Sequence, residues 1–291
     1  MYLNAVVKFF ILLVWMGTFG WLIRYEAFPH LFDDTVDGYR ELARHLPALR
    51  DTWMKVESGG KHVGYVNSSI EMVESEGEEQ LLLNTQLLLR MRIYGELSLL
   101  RLNSEVKLDA RQKLVASLST FSLGEHSGRL SILPIAESKK FEMSVQFNDF
   151  KILRQIDIPR GAVISSPLMD AGLRTVKVGG EVNIRTLDPF SMSGELHTVA
   201  IKGISTSQQL LPGEDKLLEV TQVEMKIGEM ILHAEVDEYG RIVRQDTPFG
   251  VEFVLSEASH AMKIPQGNYL DPLTLMSTDS LSSFIKLPGT L

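Results

Sequence analysis

The stretch HAEVDEYGRIVRQDTPFG, His233 to Gly250, decides how this chain is read. His233, Glu235 and Asp237 alternate with Ala234 and Val236, so an extended segment here is polar on one side and apolar on the other. Asp237 opens a tight turn and Gly240 closes it, because glycine takes positive φ without steric cost. A second extended run starts at Ile242, and Pro248 to Gly250 turns a corner. The stretch is a β-hairpin. A histidine and two carboxylates on one face, completed by His197 from another strand, are also ligands that a divalent ion accepts. The wet face of any half-exposed strand shows the same spacing, and Asp237 already has a turn to make. No metal ligand is assigned.

The same period recurs on both sides of this hairpin. Phe141, Met143, Val145 and Phe147 share one face, and Val251, Phe253 and Leu255 share another. Gly59-Gly60 and Gly179-Gly180 read as hairpin turns. About a dozen strands are expected between residues 53 and 256. The expected fold is mainly β: an N-terminal transmembrane helix, then a large antiparallel, curved-sheet domain with few helices. The Pro- and Gly-bearing run DIPRGAVISSPLMDAGLRTVKVGG interrupts the strands, so a boundary is expected within residues 162–176. It separates a first β subdomain, residues 53–162, from a second, residues 163–262. A short helix is expected at SEASHAM. The Leu-, Ser- and Thr-rich tail, residues 263–291, is too apolar for a solvated linker and is expected to pack back on the sheet or to contact a partner.

The amino-terminal 25 residues are almost wholly apolar from Phe9 to Ile23, with Lys8 before the run and Arg24 after it. With Val6 and Val7 counted, the run reaches the ~20 residues that span a bilayer. Phe9 and Phe10 belong to its apolar body, and Trp15 and Trp21 are candidate interface residues. No small-residue cleavage site follows, so residues 1–25 are read as an uncleaved anchor with the remainder outside the cytoplasm. Residues 26–52, with Val36, Tyr39, Leu42, Leu46 and Leu49 at helical spacing, are read as a juxtamembrane helical segment.

Composition narrows the chemistry. The 291 residues carry a net charge of -8 and no cysteine. Disulfides, thiolate nucleophiles and Cys-ligated zinc are excluded. The chain has no Lys/Arg cluster for nucleic acid. Ser165, Ser166, Ser191 and Ser193 lie outside any G-x-S-x-G elbow, and no phosphate-binding loop or H-E-x-x-H occurs. No catalytic residue, cofactor or metal site is assigned, and the chain is read as a non-enzyme. The acidic run EMVESEGEEQ is read as a solvated hairpin tip. The run LLLNTQLLLRMRIYGELSLLRL is apolar on both faces of its strands. It is read as a doubly covered sheet or, alternatively, as a hydrophobic groove formed by Leu81, Leu83, Leu88, Leu97 and Leu99.

Two stretches resemble a known family. WMKVESGGKHVGYVNSSIEMV, Trp53 to Val73, is similar to the opening hairpin of the extracytoplasmic β-domain that precedes transglutaminase-like domains in bacterial envelope proteins, through its Trp, its Gly-Lys turn and Gly64-Tyr65. The stretch from Ala234 to Met262 is similar to the closing hairpin of that domain, through Asp237, Gly240, Ile242, Arg244, Gly250 and an Ala-containing helix. The catalytic Cys-His-Asp domain of that family is absent from this chain, so its chemistry is not implied. A broader similarity of pattern is to the curved half-barrels of periplasmic lipoprotein carriers, which hold an acyl chain. The expectation is a single-pass inner-membrane protein whose extracytoplasmic domain scaffolds an envelope complex. The alternative is a binder of lipid or another hydrophobic ligand.

Overall fold

Period-two alternation becomes strand almost everywhere it occurs. The computed structural model describes residues 51–272 except 76, 94, 112, 137, 139, 159–161, 165–172, 174–175, 188–195, 228–229, 239 and 248–249. From β1 (Asp51–Ser58) the chain meanders through β2 (Lys61–Ser75), β3 (Glu78–Ile93), β4 (Glu96–Leu108), β5 (Leu114–Leu123), β6 (His126–Pro134) and β7 (Phe141–Phe147) to β8 (Phe150–Ile156). It resumes at β9 (Ala162–Ile164) and returns through β10 (Glu181–Leu187), β11 (Leu196–Leu210), β12 (Leu217–Ile227), β13 (Met230–Asp237) and β14 (Ile242–Asp246) to β15 (Val251–Ser256). A short helix, α1 (Ala258–Ala261), follows and packs on β1 and β2.

All the strands form a single 15-stranded sheet, in the order β8-β7-β6-β5-β4-β3-β2-β1-β15-β14-β13-β12-β11-β10-β9. The pairing is antiparallel except between β9 and β10. The two halves meet at the β1–β15 ladder, where Met54 faces Leu255 and Val56 faces Phe253. The sheet edges, β8 and β9, are consecutive in the chain. Six chain steps join Ile156 to Ala162, so these strand ends stand within about 20 Å of each other. The sheet must therefore curl until its first half faces its second.

Packing agrees with that curl. Val56, Val66, Ile70, Leu83 and Val106 from the first half form one buried cluster with Ile184, Val199, Ile201, Met225 and Val236 from the second. Leu130, Ile132, Met143 and Ile156 near the β8 edge pack with Leu187 of β10. A third cluster, Leu211, Leu218, Val220, Val243 and Leu255, gathers the ends of β12, β14 and β15.

Among the rows of the inner face, one is made of hydroxyls. Thr52 lies opposite Ser68, Ser68 opposite Thr85, Thr85 opposite Ser104, and Ser104 opposite Ser119, across five strands. Ile70, Leu83 and Val106 form the apolar row beside it. Ser104 and Ser119 share a 2.9 Å hydrogen bond. In the apolar row, Ser117 is 1 % exposed and its hydroxyl has no hydrogen-bond partner among the described residues.

The architecture sharpens several expectations. The strand set is fuller than the dozen foreseen. The interruption near residue 162 is the crossing from one edge of the sheet to the other, so both strand sets share a sheet. Gly59-Gly60 makes the β1–β2 turn, and Gly77, at φ 79°, sits in the β2–β3 tip where the acidic run lies. Gly179-Gly180 makes a turn too, but not a hairpin between two strands. Among the described residues, what stands before it is a parallel bridge from Val178 to Gly203.

The tail packs back as far as it is described. Leu270 bridges Met91 beyond the end of the β2 pairing, with two 2.8 Å backbone bonds to Arg90 and Arg92. Arg90 Nη1 donates to the Pro265 carbonyl at 2.8 Å, and Arg92 Nη1 to the Tyr269 hydroxyl at 2.7 Å. No helix among the described residues is long and apolar enough to cross a membrane. The expected anchor at residues 1–25, with Phe9, Phe10, Trp15 and Trp21, and the tail beyond 272 lie outside the described residues, as does the expected helical segment 26–52 except Asp51 and Thr52, which open β1 rather than end a helix.

Candidate functional site

β13 turns His233 and Glu235 outward and Leu232, Ala234 and Val236 into the core. Across the ladder His233 lies between Glu224 and Asp246, and Glu235 between Gln222 and Arg244. These six side chains line a shallow hollow of about 340 Å³. Its one guanidinium is shared out: Arg244 Nε donates to Asp246 Oδ1 at 3.2 Å, and Nη2 donates to Glu252. Burial works against the Arg244 charge, but the Asp246 hydrogen bond and the fields of Glu252, Asp246 and Glu235 together outweigh it. The guanidinium pKa is held above its ordinary value.

Asp237 does not join this face chemically. It is buried in the β13–β14 turn, where its Oδ1 accepts the Arg241 N–H at 2.9 Å and its Oδ2 accepts Arg241 Nε at 2.6 Å. Gly240, at φ 86°, donates to the Asp237 carbonyl. Arg241 Nη2 reaches Glu214 at 2.9 Å, which ties the β11–β12 loop to the same turn. His197 is further away still. It stands opposite Thr186, on the face that carries Ile184 and Val199 into the core, whereas His233 points to the other side of the sheet. The four residues weighed as a ligand set do not converge.

The register sorts the five leucines onto two faces. Leu81 and Leu83 lie in the inner rows with Leu108 and Val106, and Leu83 is core. Leu88, opposite Arg101, lies on the outer face, as do Leu97 and Leu99, opposite Arg92 and Arg90. Leu97 is 59 % exposed. Strand alternation makes a single groove from all five impossible, because odd positions of β3 and even positions of β4 share the inner face, while even positions of β3 and odd positions of β4 share the outer one. Ser165, Ser166, Ser191 and Ser193 lie outside the described residues.

The edge strand β8 carries a surface that residue types alone did not single out. Among the described strands it pairs with β7 only. Phe150 is 63 % exposed on the inner face and Leu153 is 55 % exposed on the outer face. Leu133 of β6 and Phe147 of β7 add exposed apolar area nearby. The signal available in FKILRQI was apolar residues at both parities, the pattern of a strand covered on two sides.

No family model matches the chain, and no curated protein matches it. Solved structures similar to it include a β-barrel-like protein of the domain of unknown function DUF1849 from Brucella abortus. That match has 10 % identity and a TM-score of 0.46, covering 71 % of this chain and 96 % of that one. A DUF1089 family protein from Pseudomonas aeruginosa matches at 15 % identity and a TM-score of 0.35, covering 61 % and 87 %. At such values neither says what this chain does.

Proposed function

We propose that the chain is a non-catalytic interaction subunit of a bacterial envelope complex, anchored in the inner membrane by residues 1–25 with its β-domain outside the cytoplasm. The apolar run Phe9–Ile23 supports the anchor, and membrane lipid is the partner of that segment. The observation that carries the interaction role is β8. An edge strand with apolar side chains on both faces is what soluble proteins avoid unless a partner covers it. An extended segment of an envelope protein adding to β8 would extend the sheet at this edge and bury Phe150 and Leu153 together. The likeness of Trp53–Val73 and Ala234–Met262 to the β-domain that precedes transglutaminase-like domains fits an extracytoplasmic module of this kind.

The test is photocrosslinking from Gln155, in the full chain and in its own membrane. A discrete adduct with one envelope protein, lost when Leu153→Asp is added, supports the role. No adduct, or one indifferent to Leu153→Asp, overturns it.

A second reading, a binder of hydrophobic ligands, rests on the inner row Leu102–Phe121–Gly128–Phe147–Phe150. This row is only partly covered, and Phe121 stacks on Phe147 at 6.0 Å. An acyl chain lying there would be retained through purification and seen as added mass in native mass spectrometry. A clean mass removes this reading and leaves the first.

A further inference from the structure

The outer face of β4–β7 gathers arginines, hydroxyls and carboxamides around β5. Arg101 lies opposite Ser122, while Asn103, Thr120, Arg129 and Gln146 form the next row across four strands. These side chains line a hollow of about 530 Å³, and no carboxylate is among its lining residues. Arg101 and Arg129 are two strands and one row apart, about 10 Å across the strands and about 7 Å along them. Both flank β5, one beside Ser122 and the other beside Thr120, so their guanidinia can meet over those hydroxyls.

In a chain of net charge -8, several cations are neutralised by carboxylates. Arg241 is bound by Asp237 and Glu214, and Arg244 by Asp246 and Glu252. Arg101 and Arg129 have no carboxylate partner among the described residues. The hollow beside His233 is the opposite case, since Glu224, Glu235 and Asp246 would repel an anion.

We propose that this hollow binds a phosphate group between Arg101 and Arg129. Planar guanidinia bind two oxygens each, and the hydroxyls and carboxamides of Thr120, Ser122, Asn103 and Gln146 supply donors for the lone pairs that remain. A tetrahedral phosphate uses such a spread of donors better than a carboxylate with two oxygens. The group could arrive free, on a small phosphate ester, or as the headgroup of an anionic lipid. The site is independent of the β8 edge, and its test reads nothing from β8.

The experiment is calorimetric titration of the full chain in neutral detergent. Inorganic phosphate and glycerol 3-phosphate stand for the free source, and soluble dihexanoylphosphatidylglycerol for the headgroup. Arg101→Gln and Arg129→Gln should each weaken the dissociation constant by roughly ten-fold or more. Arg111→Gln, on the β4–β5 loop, should leave it unchanged. Thermal unfolding confirms that each variant is folded, and Arg101→Lys, which keeps the charge without the planar fork, should fall between. Binding of the free phosphates alone assigns the free source, and preference for the lipid assigns the headgroup. The proposal is overturned if no probe binds up to about 10 mM, or if binding in both Gln variants is the same as in the wild type.

Discussion

Gly128 on β6 lies directly opposite Phe121 on β5, and the Phe121 ring occupies the space that a Gly128 side chain would need. A Cβ at Gly128 would stand 2.1 Å from the ring. The ring covers the glycine and meets Phe147 on its far side, so three strands are joined through one aromatic contact. Gly128→Val should push Phe121 off its place and cost roughly 1–3 kcal/mol in urea unfolding. In the Phe121→Ala background the valine should cost much less. Equal costs in the two backgrounds would mean that the ring does not depend on the glycine.

The Asp237–Arg241–Glu214 network should dominate the stability of the β13–β14 turn. Asp237→Ala removes the acceptor of two hydrogen bonds from Arg241 and is expected to cost roughly 1–3 kcal/mol. Burial disfavours the Arg241 charge, yet the bonds and fields of Asp237 and Glu214 outweigh it, and its pKa is raised. A cation with a raised folded pKa stabilises fully below its unfolded pKa and loses that only as pH climbs through the raised value. For a guanidinium that window lies far into alkali. The difference in unfolding free energy between wild type and Arg241→Gln should therefore be the same at pH 7 and pH 9.

Two serines one row apart should respond in opposite ways. Ser117 is buried with its hydroxyl unpartnered, so Ser117→Ala should be neutral or stabilising by up to about 1 kcal/mol. Ser119→Ala breaks the bond to Ser104 and should cost roughly 0.5–1.5 kcal/mol. Denaturant midpoints of the pair decide it, and a clear loss in Ser117→Ala would show that this hydroxyl is satisfied in solution.

Leu270 should hold the tail on β3. It is buried against the main core, and Leu270→Ala is expected to cost roughly 2–5 kcal/mol. The Arg92 N–H donates to the Leu270 carbonyl, so its hydrogen exchange should accelerate in the variant more than that of Leu83, deep in β3. Arg92→Ala should loosen the same segment more mildly, by losing the Tyr269 hydrogen bond and a 3.9 Å cation–π contact.

Much of the sheet was legible because hairpins are local. The Asp237–Gly240 turn follows from residue types that permit it, and the faces of β7 and β13 follow from alternation within a few residues. The importance of Gly64 needed three dimensions. A Cβ there would lie 2.2 Å from the Leu88 carbonyl, on a neighbouring strand. Asp237 could be placed in a turn from sequence, but its pairing with Arg241 and Glu214 joins two loops that sequence order does not relate.

By itself, then, the sequence determined that the chain is mainly antiparallel strand, that Gly59-Gly60 and Asp237–Gly240 turn hairpins, and that cysteine chemistry is absent, because these depend on residue identity and period two. The tertiary structure alone decided that β15 closes on β1, that β8 is left as an edge, and that Leu83 is core while Leu97 faces solvent. It alone brought Arg101 and Arg129 to either side of β5. Each depends on register and on what the opposite half of the sheet covers, and both are set by contacts between residues tens to hundreds of positions apart.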